Sequence, residues 1–237
     1  MADPYERLAG CYDEDWGDFA AACLSFLSAV LALDSAPLHI ADLACGTGSL
    51  ALALAKAGHL VLGVDRSSAM LEIARAKSAD CRRMRLEQCD LLHWQPTNAF
   101  DLVTCMFDSI NYLLDLGQVE ELFVHVADAL QPGATFVFDV NRPSMYARHG
   151  AGTIRRVIRG ETVLQELHYE PEWRISRTTF RFEDGIVEIH KQRAYELSEL
   201  IPLLVAAGLE VSERFGGLDL RPLHDGCDRA ILVCTRQ

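Results

Sequence analysis

Asp42, Asp65 and Asp90 each close a short apolar run, and a glycine turn follows the first of them. That turn, Gly46-Thr-Gly48-Ser-Leu-Ala51, matches the pattern G-x-G-x-x-G/A, in which backbone comes close to a ligand at a helix N-terminus. A nicotinamide or flavin dinucleotide is one ligand for such a turn. Asp42 argues for another, because it stands four residues before Gly46, where a carboxylate repels a pyrophosphate and attracts a cation. Asp65, twenty-three residues further on, has the spacing of an acid that accepts both hydroxyls of a ribose. Asp90 has the acceptor chemistry for the exocyclic amine of an adenine, with the N–H of Leu91 beside it.

A ligand with an adenine, a ribose and a cationic tail satisfies all three acids. S-adenosylmethionine has this combination. The elements that must position them follow from the hydrophobic period. Residues 3–33 carry apolar positions at helical spacing and predict two helices, and Tyr5, Tyr12 and Trp16 lie on their stripe. Strands are expected at 38–44, 60–65, 85–90, 100–107 and 134–140, separated by helices at 49–57, 67–77 and 118–130. The last of these helices should stop at Gln131-Pro-Gly133. Alternating strand and helix predict an α/β fold, a doubly wound, mostly parallel, seven-stranded Rossmann-like sheet with its ligand at the carboxyl ends of the strands. From about 153 to 196 the period becomes two, which predicts an inserted antiparallel β-sheet, and a helix and two further strands finish the chain. The expected organisation is one domain over 1–237, with an N-terminal helical lid at 1–34 and an antiparallel β subdomain at 143–195.

The segments Asp42-Leu-Ala-Cys-Gly-Thr-Gly48, Gly63-Val-Asp-Arg-Ser-Ser-Ala-Met70, Gln88-Cys-Asp90, Phe100-Asp-Leu-Val-Thr-Cys-Met-Phe-Asp-Ser-Ile-Asn-Tyr112 and Leu130-Gln-Pro-Gly133 resemble the class I S-adenosylmethionine-dependent methyltransferases. The N-terminal Tyr5-Glu-Arg-Leu-Ala-Gly-Cys-Tyr-Asp13 and the stretch His190-Lys-Gln-Arg-Ala-Tyr195 are similar to the bacterial small-molecule branch that includes the sugar-amine N,N-dimethyltransferases. The resemblance implies a cofactor set of Tyr5, Tyr12, Asp42, Ala44, Gly46, Gly48, Asp65, Arg66, Met70, Asp90, Leu91, Met106 and Phe107. Ala44 departs from the family, which commonly has glycine there, and is tolerated if that residue keeps ordinary strand geometry. No Asn/Asp-Pro-Pro-aromatic motif follows the fourth strand, which argues against nucleobase amines as acceptors.

Methyl transfer is an in-line displacement, so positioning carries most of the effect, up to ~7–11 kcal/mol. An ammonium or hydroxyl acceptor must also lose a proton, and Asp108, Tyr12 and His190 are the candidates to take it. Asp108 equally fits a cap for the segment from Ser109 onward. Two other classes stay open: an NAD(P)-dependent Rossmann oxidoreductase and a non-catalytic S-adenosylmethionine-binding protein.

Composition narrows the partners. A net charge of −12 argues against nucleic acid, whose phosphates are met by lysine and arginine. Residues 142–193 hold ten Lys/Arg and seven Asp/Glu, so they carry +3 against −15 for the remainder. Arg155, Arg156, Arg159, Arg174, Arg177 and Arg181 are either the solvated side of that sheet or a surface for an anionic small-molecule acceptor. The eight cysteines form no C-x-x-C pair and read as reduced core residues, with no metal site. The acidic start lacks the basic flank of an export signal, and the greasy stretch 19–33 falls short of the ~20 residues that span a bilayer, so a cytoplasmic protein without membrane contact is expected. Homodimerisation is left open.

Overall fold

The computed structural model describes residues 4–31, 33, 35–96, 99–158 and 160–237, the side chains at 15–17 excepted. The sequence places Trp16 and Arg159 among the residues of interest, and the side chain of the first and the whole of the second lie outside this description. One 3-10 turn, Leu8–Cys11, leads into α1 (Tyr12–Val30). The chain then alternates: β1 (His39–Leu43), α2 (Ser49–Lys56), β2 (Leu60–Asp65), α3 (Ser68–Lys77), β3 (Met84–Gln88) and β4 (Phe100–Cys105), followed by α4 (Leu116–Ala129) and β5 (Leu130–Asn141).

Local chemistry sets these boundaries. In α2 the small and branched apolar residues Leu50, Ala51, Leu54 and Ala55 are buried, one face of a short helix laid on the sheet. Ser67 caps α3 by accepting the Met70 N–H, and Asp115 caps α4 by accepting the Gln118 N–H. β1 is buried at every position from Ile40 to Leu43, as a strand covered on both faces must be.

β5 is longer than expected. Residues Gln131-Pro-Gly133 do not separate helix from strand: the register with β4 jumps from Phe100 opposite Leu130 to Leu102 opposite Thr135, so the proline and glycine bulge out of a strand already begun. α5 (Pro143–His149) then interrupts the expected path into the insertion, with Pro143 in its first turn. The sequence reading has no helix there. Four strands follow, β6 (Gly152–Ile158), β7 (Glu161–Glu170), β8 (Ile175–Arg181) and β9 (Val187–Arg193), and the chain ends with α6 (Leu197–Ala206), β10 (Leu209–Phe215) and β11 (Arg229–Arg236).

The main sheet has the order β10-β11-β5-β4-β1-β2-β3. Only β11 runs antiparallel to its neighbours, so the expected seven-stranded, mostly parallel architecture is borne out. Strand order reverses between β1 and β4, and the crevice at their carboxyl ends is the switch point at which such sheets bind ligands. The second sheet is antiparallel, in the order β6-β7-β8-β9. Its inner face meets the N-terminal turn: Leu8 and Cys11 share one apolar cluster with Ile158, Val163, Phe180 and Phe182.

Candidate active site

The cleft at the switch point encloses about 1320 Å³ of empty space, part of it open to solvent, and is walled by the ends of β1, β2 and β3, the segment after β4, and the N-terminal segment. All three strand-end acids line it. Asp42 is buried at 3% exposure, and its Oδ1 accepts the Thr104 hydroxyl at 2.7 Å. Burial raises its pKa to about 7, with the Thr104 hydrogen bond pulling the other way. A buried acid held this way has a strong preference for a cation beside it.

Asp65 does two jobs at once. Its Oδ2 accepts the Gly46 N–H and its Oδ1 the Ser67 N–H, each at 2.8 Å, so it ties the glycine turn to the end of β2. Each oxygen retains a second lone pair for a hydroxyl. Burial again pushes the carboxyl up, against those backbone hydrogen bonds. Asp90 accepts the Leu92 N–H at 3.0 Å, with Arg66 3.9 Å away. Leu91, Met70, Met106 and Phe107 supply apolar wall, and Arg66 stands at the rim.

The turn itself differs from expectation at one residue. Ala44 has φ +53, in the left-handed region, and does not keep strand geometry. The condition under which alanine was to be tolerated is not met, and the position carries the strain that glycine relieves elsewhere. Gly46 and Gly48 are left-handed too, and a Cβ on Gly48 would stand 2.8 Å from Met84 Cε and 3.1 Å from Ala74 Cβ. Glycine is needed there for space as well as for φ.

Sequence reasoning missed a clasp over this turn. Asp13, near the start of α1, accepts the Thr47 hydroxyl at 2.6 Å, the Ser49 hydroxyl at 3.0 Å and the Lys77 ammonium at 2.7 Å. It joins α1 to the N-terminus of α2, where a negative charge is favourable, and to the last turn of α3. Its sequence signals are membership of the acidic run 13–18 and its place at the end of the segment Tyr5–Asp13, and neither points to Thr47, Ser49 or Lys77.

The three candidate bases are not brought to one place. Tyr12 lines the cleft, its ring edge-on to Tyr5 at 5.7 Å. Asp108 is occupied: Arg229 donates to its Oδ1 at 2.9 Å and Gln192 to its Oδ2 at 2.6 Å. Arg229 also pairs with the fully buried Asp139, which accepts the Asp108 N–H and whose pKa burial raises to about 6 against the pull of Arg229. Phe107 and Asp108 are both left-handed, at φ +68 and +47, so this ion-pair knot holds a strained corner beside the cleft. His190 instead joins a chain that reaches the cleft: Tyr5 Oη lies 2.6 Å from Tyr112 Oη, which lies 2.9 Å from His190 Nδ1. Tyr5 and Tyr112 line the cleft, and burial pushes both hydroxyls well above the usual tyrosine range. Of the arginines in the inserted sheet, Arg177 and Arg181 face outward and pair with Glu170 and Glu166, and Arg174 pairs with Glu199.

The donor set suits S-adenosylmethionine: a buried acid for its cationic tail, an acid at ribose spacing, and a third acid at the adenine end. Comparison with known proteins agrees. Residues 40–133 match the family described as Methyltransferase domain. YqeM of Bacillus subtilis (strain 168), which bears a methyltransferase name, is 37% identical over 146 residues, covering 58% of this chain and 55% of its own. The dTDP-3-amino-3,6-dideoxy-α-D-glucopyranose N,N-dimethyltransferase of Streptomyces fradiae is 29% identical over 198 residues, covering 78% of this chain and 75% of its own. An S-adenosylmethionine-dependent methyltransferase from Clostridium acetobutylicum ATCC 824 superimposes with a TM-score of 0.82 at 23% identity, over 98% of both chains, a likeness of fold. The chain spans about half the length of the curated relatives it matches at 37–41% identity. The resemblance to methyltransferases is borne out over residues 40–133, and the expected fold over 98% of the chain. Among the described residues no helix is long and apolar enough to cross a membrane.

Proposed function

On the premise that residues 40–133 are a methyltransferase domain on a class I fold, we propose that the chain transfers a methyl group from S-adenosylmethionine to a nitrogen or oxygen of a small-molecule acceptor. The observation that supports it is a cleft lined by Asp42, Asp65 and Asp90 together with Tyr5, Tyr12 and Tyr112. Asp42 meets the cationic tail, Asp65 the ribose hydroxyls, and Asp90 with Leu91 the adenine, while Met70, Met106 and Phe107 exclude water. The bound cofactor supplies a methyl group on a sulfonium, already activated for displacement. What the chain must do is hold the acceptor in line, keep the site dry and accept one proton.

The relative from Streptomyces fradiae is named for an amino-sugar nucleotide, and its match covers 78% of this chain, well beyond the length of the methyltransferase domain. This favours a primary or secondary amine as the acceptor. The test has two stages. Calorimetry should give micromolar affinity, about −8 kcal/mol, for S-adenosylmethionine and S-adenosylhomocysteine. A panel of amines and alcohols, with dTDP-3-amino-3,6-dideoxyglucose included, is then followed for methylated product by mass spectrometry. Saturable binding of NADH with no heat from either sulfur ligand defeats the reading. Binding without product from any acceptor leaves a cofactor-binding protein.

A further inference from the structure

β9 presents Glu188, His190 and Gln192 on one face, at the alternate positions of a strand, and each meets a different part of the molecule. Gln192 holds Asp108, and His190 meets Tyr112. Glu188 is fully buried, and its Oε1 accepts the backbone N–H groups of Arg7 and Leu8 in the N-terminal segment. Its other oxygen and the Nε2 of His190, itself 5% exposed, lie 3.5 Å apart, and neither has another hydrogen-bond partner among the described residues. Two buried polar atoms left facing each other are costly in a resting fold and call for a reason.

Their chemistry supplies one. With Nδ1 accepting from Tyr112, the neutral ring carries its proton on Nε2, toward Glu188. Burial pushes the Tyr112 hydroxyl well above the usual tyrosine range, so it can take a proton only while giving its own away. Tyr5 packs its ring edge-on to His190 at 4.6 Å and Phe180 does so at 5.3 Å, which closes the imidazole off from water.

We propose that Tyr112, His190 and Glu188 form a proton relay for the acceptor, in which His190 is the terminal base and Glu188 the buried counter-charge that fixes its tautomer and steadies its cation. The inference rests on the methyltransferase reading. The acceptor's nucleophilic atom gives a proton to Tyr112 Oη, and the Tyr112 O–H proton passes to His190 Nδ1. The acceptor has lost one proton and His190 has gained it, as an imidazolium whose Nε2–H faces the Glu188 carboxylate. Tyr5, hydrogen-bonded to Tyr112, is the second hydroxyl through which the same proton can enter. Because the outer oxygen of Glu188 is satisfied by backbone N–H groups of the N-terminal segment, the relay is complete when that segment is seated over the cleft.

The test uses the full chain and begins without any acceptor. Nitrogen-15 NMR of the free protein should show neutral His190 with its proton on Nε2. In E188Q the new amide N–H₂ donates toward Nε2, and the proton should move to Nδ1. A wild-type ring already protonated on Nδ1 overturns the relay. With the acceptor found in the panel above, E188Q, H190Q and Y112F should each lower kcat about 100-fold, the scale of a general base. S-adenosylhomocysteine affinity should stay within about threefold, a difference below ~1 kcal/mol. Retention of kcat within about twofold in both Y112F and H190Q also overturns the proposal. Should E188Q fail to fold by circular dichroism, Y112F and H190Q decide together by that criterion. If wild type methylates nothing, the functional reading fails while the imidazole spectrum still decides the arrangement.

Discussion

Two residues in the cleft carry costs that can be measured. Ala44 is left-handed, like Gly46 and Gly48 in the same turn, and an alanine in that region is disfavoured by about 1–2 kcal/mol, partly offset on replacement by the greater chain entropy of unfolded glycine. A44G should therefore stabilise the protein by about 0.5–1 kcal/mol net, visible as a higher urea midpoint, with S-adenosylhomocysteine binding unchanged. A lower midpoint would mean that the methyl packs against something worth more than the strain. Asp42 is the second residue. Its folded pKa is about 7 against 3.8 for the free side chain, so the folded state holds the extra proton between these values. Stability of the unliganded protein falls as pH rises through that window and the loss is complete above it. Affinity for a cationic ligand has the opposite sign, since only the carboxylate attracts it: S-adenosylmethionine should bind about tenfold more weakly at about pH 6 than at about pH 8. Calorimetry at the two values checks this, and D42N should flatten the difference. A flat profile in the wild type would remove Asp42 from the cation's surroundings.

At the scale of elements, the cleft is closed by contacts between segments that are distant in the chain. α1 is held to the glycine turn by the Asp13 carboxylate, and the N-terminal turn is held to the inserted sheet by Leu8 and Cys11 packing on Phe180 and Phe182. The clasp and the apolar contact act on the same segment from two sides. Burial pushes the Asp13 carboxyl up, but hydrogen bonds from Lys77 and Thr47 outweigh it and hold it below its ordinary range. For a depressed acid the stabilisation is present above the unfolded pKa, near 3.8, and is lost only as pH falls through the folded value. The clasp therefore holds throughout the neutral range. Its partners are partly exposed, at 37% for Asp13 and 28% for Lys77, so solvent screening limits its worth. D13A should cost about 0.5–1 kcal/mol and loosen S-adenosylhomocysteine binding by up to about fivefold. Hydrogen exchange should quicken in the N-terminal segment and stay slow in β1. Unchanged exchange there would show that the apolar contact seats the segment unaided.

The whole molecule was legible where the signal is local and opaque where it is not. β1, β2 and β4 are apolar runs ended by a turn or an acid, and Asp42, Asp65 and Asp90 are readable because a strand end is a position on the ligand side. The bulge at Pro132 looks like a helix stop because proline and glycine punctuate both. Tyr112 and His190 are 78 residues apart, Asp13 and Lys77 are 64 apart, and no period links them; only the packing of the inserted sheet and α1 onto the cleft does. The same packing sorts two of the insertion's arginines. In the β8–β9 register Thr178 stands opposite His190 and Phe180 opposite Glu188, so the alternate residues Arg177 and Arg181 belong to the other face. There they pair with Glu170 and Glu166, all four half exposed, which puts these two arginines on a solvated face away from Tyr112 and the cleft. Exposed pairs of this kind contribute about 0–1 kcal/mol each, so the double variant R177A/R181A should unfold within ~1 kcal/mol of wild type, bind S-adenosylhomocysteine equally well and keep its methyl-transfer rate within about twofold. Thermal unfolding, calorimetry and the acceptor assay check the three in turn. A selective loss of transfer, with fold and cofactor affinity intact, would put the acceptor on the outer face, where a second copy of the chain would have to bring the cleft to it.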